Sequence, residues 1–204
     1  MAVKKLKYFA GGRWLDSKCE KYMDVYNPST GEVIAQTPCC TKEEVNEAIA
    51  CAKEAFKSWS NVPVMKRVQV IYKFRELLEE HMDELTELCA TEHGKVWNEA
   101  KGDILKVKEP VELACSAPSL LMGESVRDTS SGYDTTLYRE PVGVFAGIVP
   151  FNFPGMIPMG WMFRRLTCKA ILLDSAYLSA SFPAIKRSKA FASLLISSAL
   201  GVSP

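Results

Sequence analysis

The spacing of apolar residues changes character several times along the chain, and each change predicts a different element. Residues 6–38 carry short extended pieces: Lys7 to Ala10, a turn at Gly11 and Gly12, then Trp14 and Leu15, and then Asp24 to Tyr26 and Glu32 to Gln36 around an Asn27, Pro28, Gly31 turn. Thr41 and Glu44 have the spacing of a capping box, and Val45, Ala48, Ile49, Ala52, Phe56 and Trp59 then recur at helical period. Pro63 predicts a second helix start, with Val68, Ile71, Phe74 and Leu78 on one face and Lys66, Lys73, Glu76 and Glu80 on the other. A third helix through Met82, Leu85, Leu88 and Cys89 should stop at Gly94, leaving His93 as an exposed capping residue or a proton-transfer group. After Lys95 and Trp97 the pattern stays helical to Ala117, with Pro110 expected to kink or divide it.

From Met122 to Pro141 the helical period disappears. Ser125 to Thr129 and Thr135 to Arg139 flank a Ser130, Ser131, Gly132 turn and read as a hairpin. Val142 to Val149 is then almost continuously apolar, relieved only by Gly143 and Gly147, which predicts a central strand of a parallel sheet, covered on both faces. Pro150, Phe151, Asn152, Phe153, Pro154 and Gly155 force a turn where that strand stops, the place where open α/β sheets bind ligands. Local spacing leaves Asn152 open between a helix cap, an Asx-turn and a hydrogen-bond donor to a ligand.

Composition narrows the classes. The chain has 204 residues, 48% hydrophobic and 24% charged, with a net charge of +1, so it offers no electrostatic footprint for nucleic acid. No membrane segment and no apolar signal sequence is visible, and the expected location is cytoplasmic. Seven scattered cysteines, an odd number, suit reduced thiols better than a disulfide framework. Without a CxxC pair, and with His81 and His93 as the only histidines, no metal site is expected.

The spelling of the chain then adds what period and composition do not. PFNFP with Met156 and Pro158, YFAGGRW and YNPSTGEVI near the start, and EHGK and AKGD in the helices together resemble the aldehyde dehydrogenase superfamily over about residues 6–163. The wording is most similar to the methylmalonate-semialdehyde branch. The resemblance implies an α/β fold with the family's N-terminal helical wrap, a β-hairpin and an incomplete doubly wound, Rossmann-like NAD-binding sheet. It divides the chain into N-terminal strands and helices (1–121), an oligomerisation hairpin (122–141), the start of the NAD-binding domain (142–169) and a divergent tail (170–204). It further implies that the Asn152 amide faces a developing oxyanion and that Val149 and Phe151 contact the dinucleotide. Lys106 stands where the branch carries an arginine for a substrate carboxylate. NAD is the implied cofactor, coenzyme A a possible acyl acceptor, a small aldehyde the substrate, and a homo-oligomer the implied assembly.

The resemblance weakens past residue 163. Gly160 reads as an extra residue, Arg164 stands in place of a proline, and neither Lys169 nor Lys186 lies in the Lys-Pro-Ser setting that binds the adenosine ribose in the family. Asp174 is the only acidic residue after Glu140, as a shifted reading frame would produce. No cysteine, Cys168 included, sits in the context of the family nucleophile, and the general-base glutamate has no counterpart. The chain alone is therefore expected to be inactive, the other reading being a non-enzymatic remnant or subunit-association module. Val142 to Val149 should find few sheet partners and favour aggregation.

Overall fold

A computed structural model describes residues 3–160 and the backbone of a strand at 171–173. Cys168, Lys169, Lys186 and the remainder of the tail lie outside the described residues. The order is β1 (Lys4–Lys5), β2 (Tyr8–Ala10), β3 (Arg13–Leu15), β4 (Tyr22–Tyr26), β5 (Val33–Pro38), α1 (Lys42–Trp59), α2 (Val64–Glu80), α3 (Met82–His93), α4 (Trp97–Lys106), α5 (Lys108–Cys115), α6 (Ala117–Leu120), β6 (Ser125–Ser130), β7 (Tyr133–Thr136), β8 (Val144–Ala146) and β9 (Ile171–Leu173). The short strands at the start form a β2–β3 hairpin and a sheet ordered β1-β5-β4, in which β1 runs parallel and β4 antiparallel to β5.

The capping box forms as its spacing requires. The Glu44 N–H donates to Thr41 Oγ1 at 3.3 Å, and the Thr41 N–H donates to Glu44 Oε2 at 2.8 Å. Glu44 also accepts from the Ser17 hydroxyl and the Lys18 N–H, each at 2.7 Å, which ties α1 to the segment before β4. Burial alone would raise the Glu44 carboxyl, but these hydrogen bonds outweigh it and hold the group below the usual carboxylate range. The inward face of α1 is therefore Glu44, Ala48, Ala52 and Trp59, whereas Val45, expected in the core, is exposed. A carboxylate with its donors in place occupies the inward slot at the first turn.

Helices α2 to α5 build one apolar cluster from Ile71, Phe74, Leu78, Leu85, Ile104 and Val111, and Met159 from the far side of the chain joins it. The charged face of α2 is exposed, as its pattern predicts. The division expected at Pro110 falls earlier, at Val107, and Pro110 sits in the first turn of α5, where a missing N–H costs no helical bond. The hairpin forms with β6 and β7 antiparallel and every strand residue exposed, its second arm starting two residues earlier than expected.

The apolar run at 142–149 departs most from its prediction. Only Val144–Ala146 is strand, and among the described residues it pairs on one side alone, in parallel register with β9. Val142 and Ile148 are 84% and 98% exposed. A buried central strand needs a ladder on both edges and cover on both faces, so an apolar sequence without those neighbours stays short. Among the described residues, the single partner β9 matches the few sheet partners expected of this run. Helix α1 packs beside β9 and β8.

Candidate active site

The turn after β8 is anchored from below by the loop between α3 and α4. Residues 151–153 bend, Pro154 and Gly155 are buried, and a helix starts at 156 with Ile157 N–H donating to the Phe153 carbonyl at 3.2 Å. Lys95 Nζ donates to the Asn152 main-chain carbonyl at 2.9 Å and lies 4.6 Å from the centre of the Phe153 ring. The same ammonium is 3.6 Å from Asp103 Oδ2, and the Lys95 and Asp103 side chains are only 14% and 1% exposed. His93 stacks on Phe151 with ring centres 5.6 Å apart and planes inclined by 26°. Gly94 stands between the two anchors at φ +81°, closing α3 through its N–H to the Ala90 carbonyl at 2.9 Å. A Cβ on Gly94 would meet Pro28 Cγ at 2.7 Å, so the Asn27 to Gly31 turn presses directly on this loop.

Asn152 itself is exposed, and its side chain makes no hydrogen bond among the described residues, so it neither caps the following helix nor closes an Asx-turn. Val149 is half-buried and Phe151 is 39% exposed, which makes 149–152 a ledge at the end of the parallel strand pair. Lys106 is not brought to this turn by any contact among the described residues. It lies on the exposed side of α4 with Nζ donating to Glu109 Oε1 at 2.6 Å. His93, expected to be an exposed cap, is instead half-buried against Phe151. Helical spacing marks only its position at the end of α3, and its partner lies on a segment no period connects to it.

Thiol chemistry is not prepared at Cys89. Burial first, then the neighbouring Asp103 carboxylate, pushes its thiol up to about 12, with Sγ 3.6 Å from Asp103 Oδ2. Burial also raises the Cys40 and Cys115 thiols. A nucleophilic cysteine needs the opposite displacement. Among the described residues no group of His, Cys, Asp or Glu could hold a metal ion, and no helix is long and apolar enough to cross a membrane. A cavity of about 670 Å³ opens between the start of α2, the hairpin base and β8, lined by Arg67, Tyr138 and Phe145 among others, and it includes none of residues 149–152.

A parallel strand pair thus ends in a tight turn that carries an exposed amide with no hydrogen bond among the described residues. The matching family is Aldedh, the aldehyde dehydrogenase family, whose model covers residues 14–173. The chain belongs to the aldehyde dehydrogenase family. The family match thus extends ten residues beyond 163, through β9. Malonate-semialdehyde dehydrogenase 2 of Oceanobacillus iheyensis is 49% identical over 161 residues, covering 79% of this chain and 33% of that protein. Malonate-semialdehyde dehydrogenase 1 of Geobacillus thermodenitrificans is 47% identical over 161 residues with the same coverage, 79% and 33%. Among solved structures, methylmalonate-semialdehyde dehydrogenase from Oceanimonas doudoroffii superposes with a TM-score of 0.81 at 35% identity, covering 96% of this chain and 39% of that one. A Sinorhizobium meliloti 1021 protein assigned the same activity, solved in complex with NAD, gives 0.84 at 32% identity, covering 97% and 39%. The chain spans about a third of the length of the curated relatives it matches.

Proposed function

We propose that this chain supplies the oxyanion side of an NAD-dependent semialdehyde dehydrogenase site, with Asn152 as the donor. The observation that carries the reading is the exposed, unengaged Asn152 amide on a turn whose backbone is fixed from below. When a thiolate adds to an aldehyde, negative charge gathers on the carbonyl oxygen, and a neutral amide already in place stabilises it without reorganising. The residues present fit a dinucleotide on one side: half-buried Val149 and part-exposed Phe151 form an apolar ledge at the end of parallel β8. Bound there, NAD would supply the hydride acceptor. The adenosine side is less well provided, because the sequence holds no Lys-Pro-Ser segment for the ribose.

The substrate class is a small semialdehyde, and the acyl group would leave to water or to coenzyme A. Lys106 receives a substrate carboxylate only by exchanging its Glu109 partner, and as a point charge it lacks the two-pronged geometry of arginine. The 204 residues by themselves do not turn over, since no cysteine in them has the nucleophile's setting. A subunit-association role is the second reading, favoured by the fully exposed β6–β7 hairpin, and it fits a homo-oligomer.

The test is a chimera in which residues 1–160 replace the corresponding third of a full-length malonate-semialdehyde dehydrogenase. It should form NADH from semialdehyde, and Asn152→Ala within it should lower kcat by about 10²–10³. An unchanged kcat in that variant would remove Asn152 from the mechanism. The unaltered chain should form no NADH and should show no saturable NAD binding in the micromolar range; either signal would show that it works alone.

A further inference from the structure

The anchoring of the 151–153 turn uses an ion pair more deeply buried than the surface pairs of Arg75 and of the lysines at 7, 57, 73, 101, 106 and 108. The other lysine and arginine pairs described are surface contacts whose side chains are 29% or more exposed, whereas Lys95 and Asp103 are 14% and 1% exposed. A buried charge pair is costly and adds little net stability against an apolar replacement. This one is spent on a single main-chain carbonyl, that of the exposed Asn152. The geometry around it is a two-point clamp: His93 holds the Phe151 ring, Lys95 faces the Phe153 ring and the carbonyl between, and Gly94 at φ +81° turns the chain between the two anchors.

We propose that Lys95 is a positioning residue: charged and held by Asp103, it fixes the Asn152–Phe153 peptide so that the Asn152 amide is presented from a single backbone conformation. The proposal rests on the donor role of Asn152 given above for its purpose, but the tether itself is independent of that role. Lysine suits the task because its ammonium has three donors, enough to serve the carbonyl and the carboxylate and still face a ring. Asp103 keeps that ammonium oriented: it sits on α4, whose Ile104 is part of the helical core, so the clamp is referenced to the buried apolar cluster.

The experiment uses the chain itself, labelled with ¹⁵N-asparagine, with the Asn152 signals assigned by their loss in Asn152→Gln. Lys95→Met should move the backbone and side-chain signals of Asn152 to values typical of unstructured asparagine while those of Asn46 and Asn61 in and after α1 stay in place. Hydrogen exchange across 150–157 should speed up about tenfold, the loss of one charge-assisted bond, while α2 keeps its protection. Lys95→Arg should restore both readouts. If Lys95→Met destabilises the whole chain by stranding Asp103, the double variant Lys95→Met, Asp103→Asn removes the stranded charge and must still free Asn152. Asn152 signals and 150–157 exchange unchanged in the folded single or double variant would overturn the tether. That result would leave the donor role standing, and an Asn152→Ala chimera with full kcat would remove the donor role while leaving the tether.

Discussion

Ile71, in an amphipathic stretch, is fully buried, and Ile148, in the most continuously apolar run of the same chain, is 98% exposed. The difference lies in where each finds its partners. The face of α2 is covered by α3 to α5, which follow within the next few dozen residues and each bring an apolar stripe of their own. The 142–149 run needs strands on both edges and has β9 alone among the described residues. Apolar character buys burial only when a second surface arrives to share it.

Five variants bear on this contrast. The largest effect is expected at Phe74, 1% exposed in the helical cluster: Phe74→Ala should cost about 4 kcal/mol in urea unfolding. Next, Asp103→Ala strands the mostly buried Lys95 ammonium and should cost about 3 kcal/mol, with the 151–153 turn loosening before the helical cluster unfolds. Glu44→Gln should cost about 1 kcal/mol at neutral pH, the size of a lost cap. Because the folded carboxyl lies below its ordinary value, its contribution is present above that value and fades as pH falls through the depressed folded one, so wild type and variant should converge in acid. The smallest effect is expected at Ile148→Ala, within about 0.5 kcal/mol. Its counterpart Ile148→Lys should instead slow concentration-dependent light scattering, since the exposed run is the surface available for association. Equal losses for Phe74→Ala and Ile148→Ala would erase the distinction between the regions.

Legibility followed the range of the interactions. Thr41 with Glu44, Pro63 before α2, Gly94 after α3 and Gly132 in the hairpin each depend on chemistry within a few residues, and each appears where its spacing puts it. Spacing could not show that Glu44 turns inward in preference to Val45, because the donors that make this favourable, Ser17 and Lys18, lie 27 and 26 residues upstream. The extent of the strand at 142–149 was overestimated for the same reason, its neighbours being distant. At the candidate site, the spelling around Asn152 pointed to the turn, but Lys95 contacts it across 57 residues, a separation no periodicity encodes. His93 was legible as the end of a helix and not as the platform under Phe151.

The contact between Pro28 and Gly94 also decides where the chain can be lengthened. Surface turns ordinarily accept inserted peptides, and the Asn27 to Gly31 turn has the glycine, proline and serine content of such a place. Yet Pro28 and Ser29 already lie 2.7 and 3.8 Å from where a Gly94 Cβ would stand, so an epitope inserted between them would push on the loop that carries Lys95 and, through it, on Asn152. The hairpin tip is the opposite case. Gly132 has open space around it, and a tag grafted beside it would leave the 93–95 loop and the 151–153 turn undisturbed.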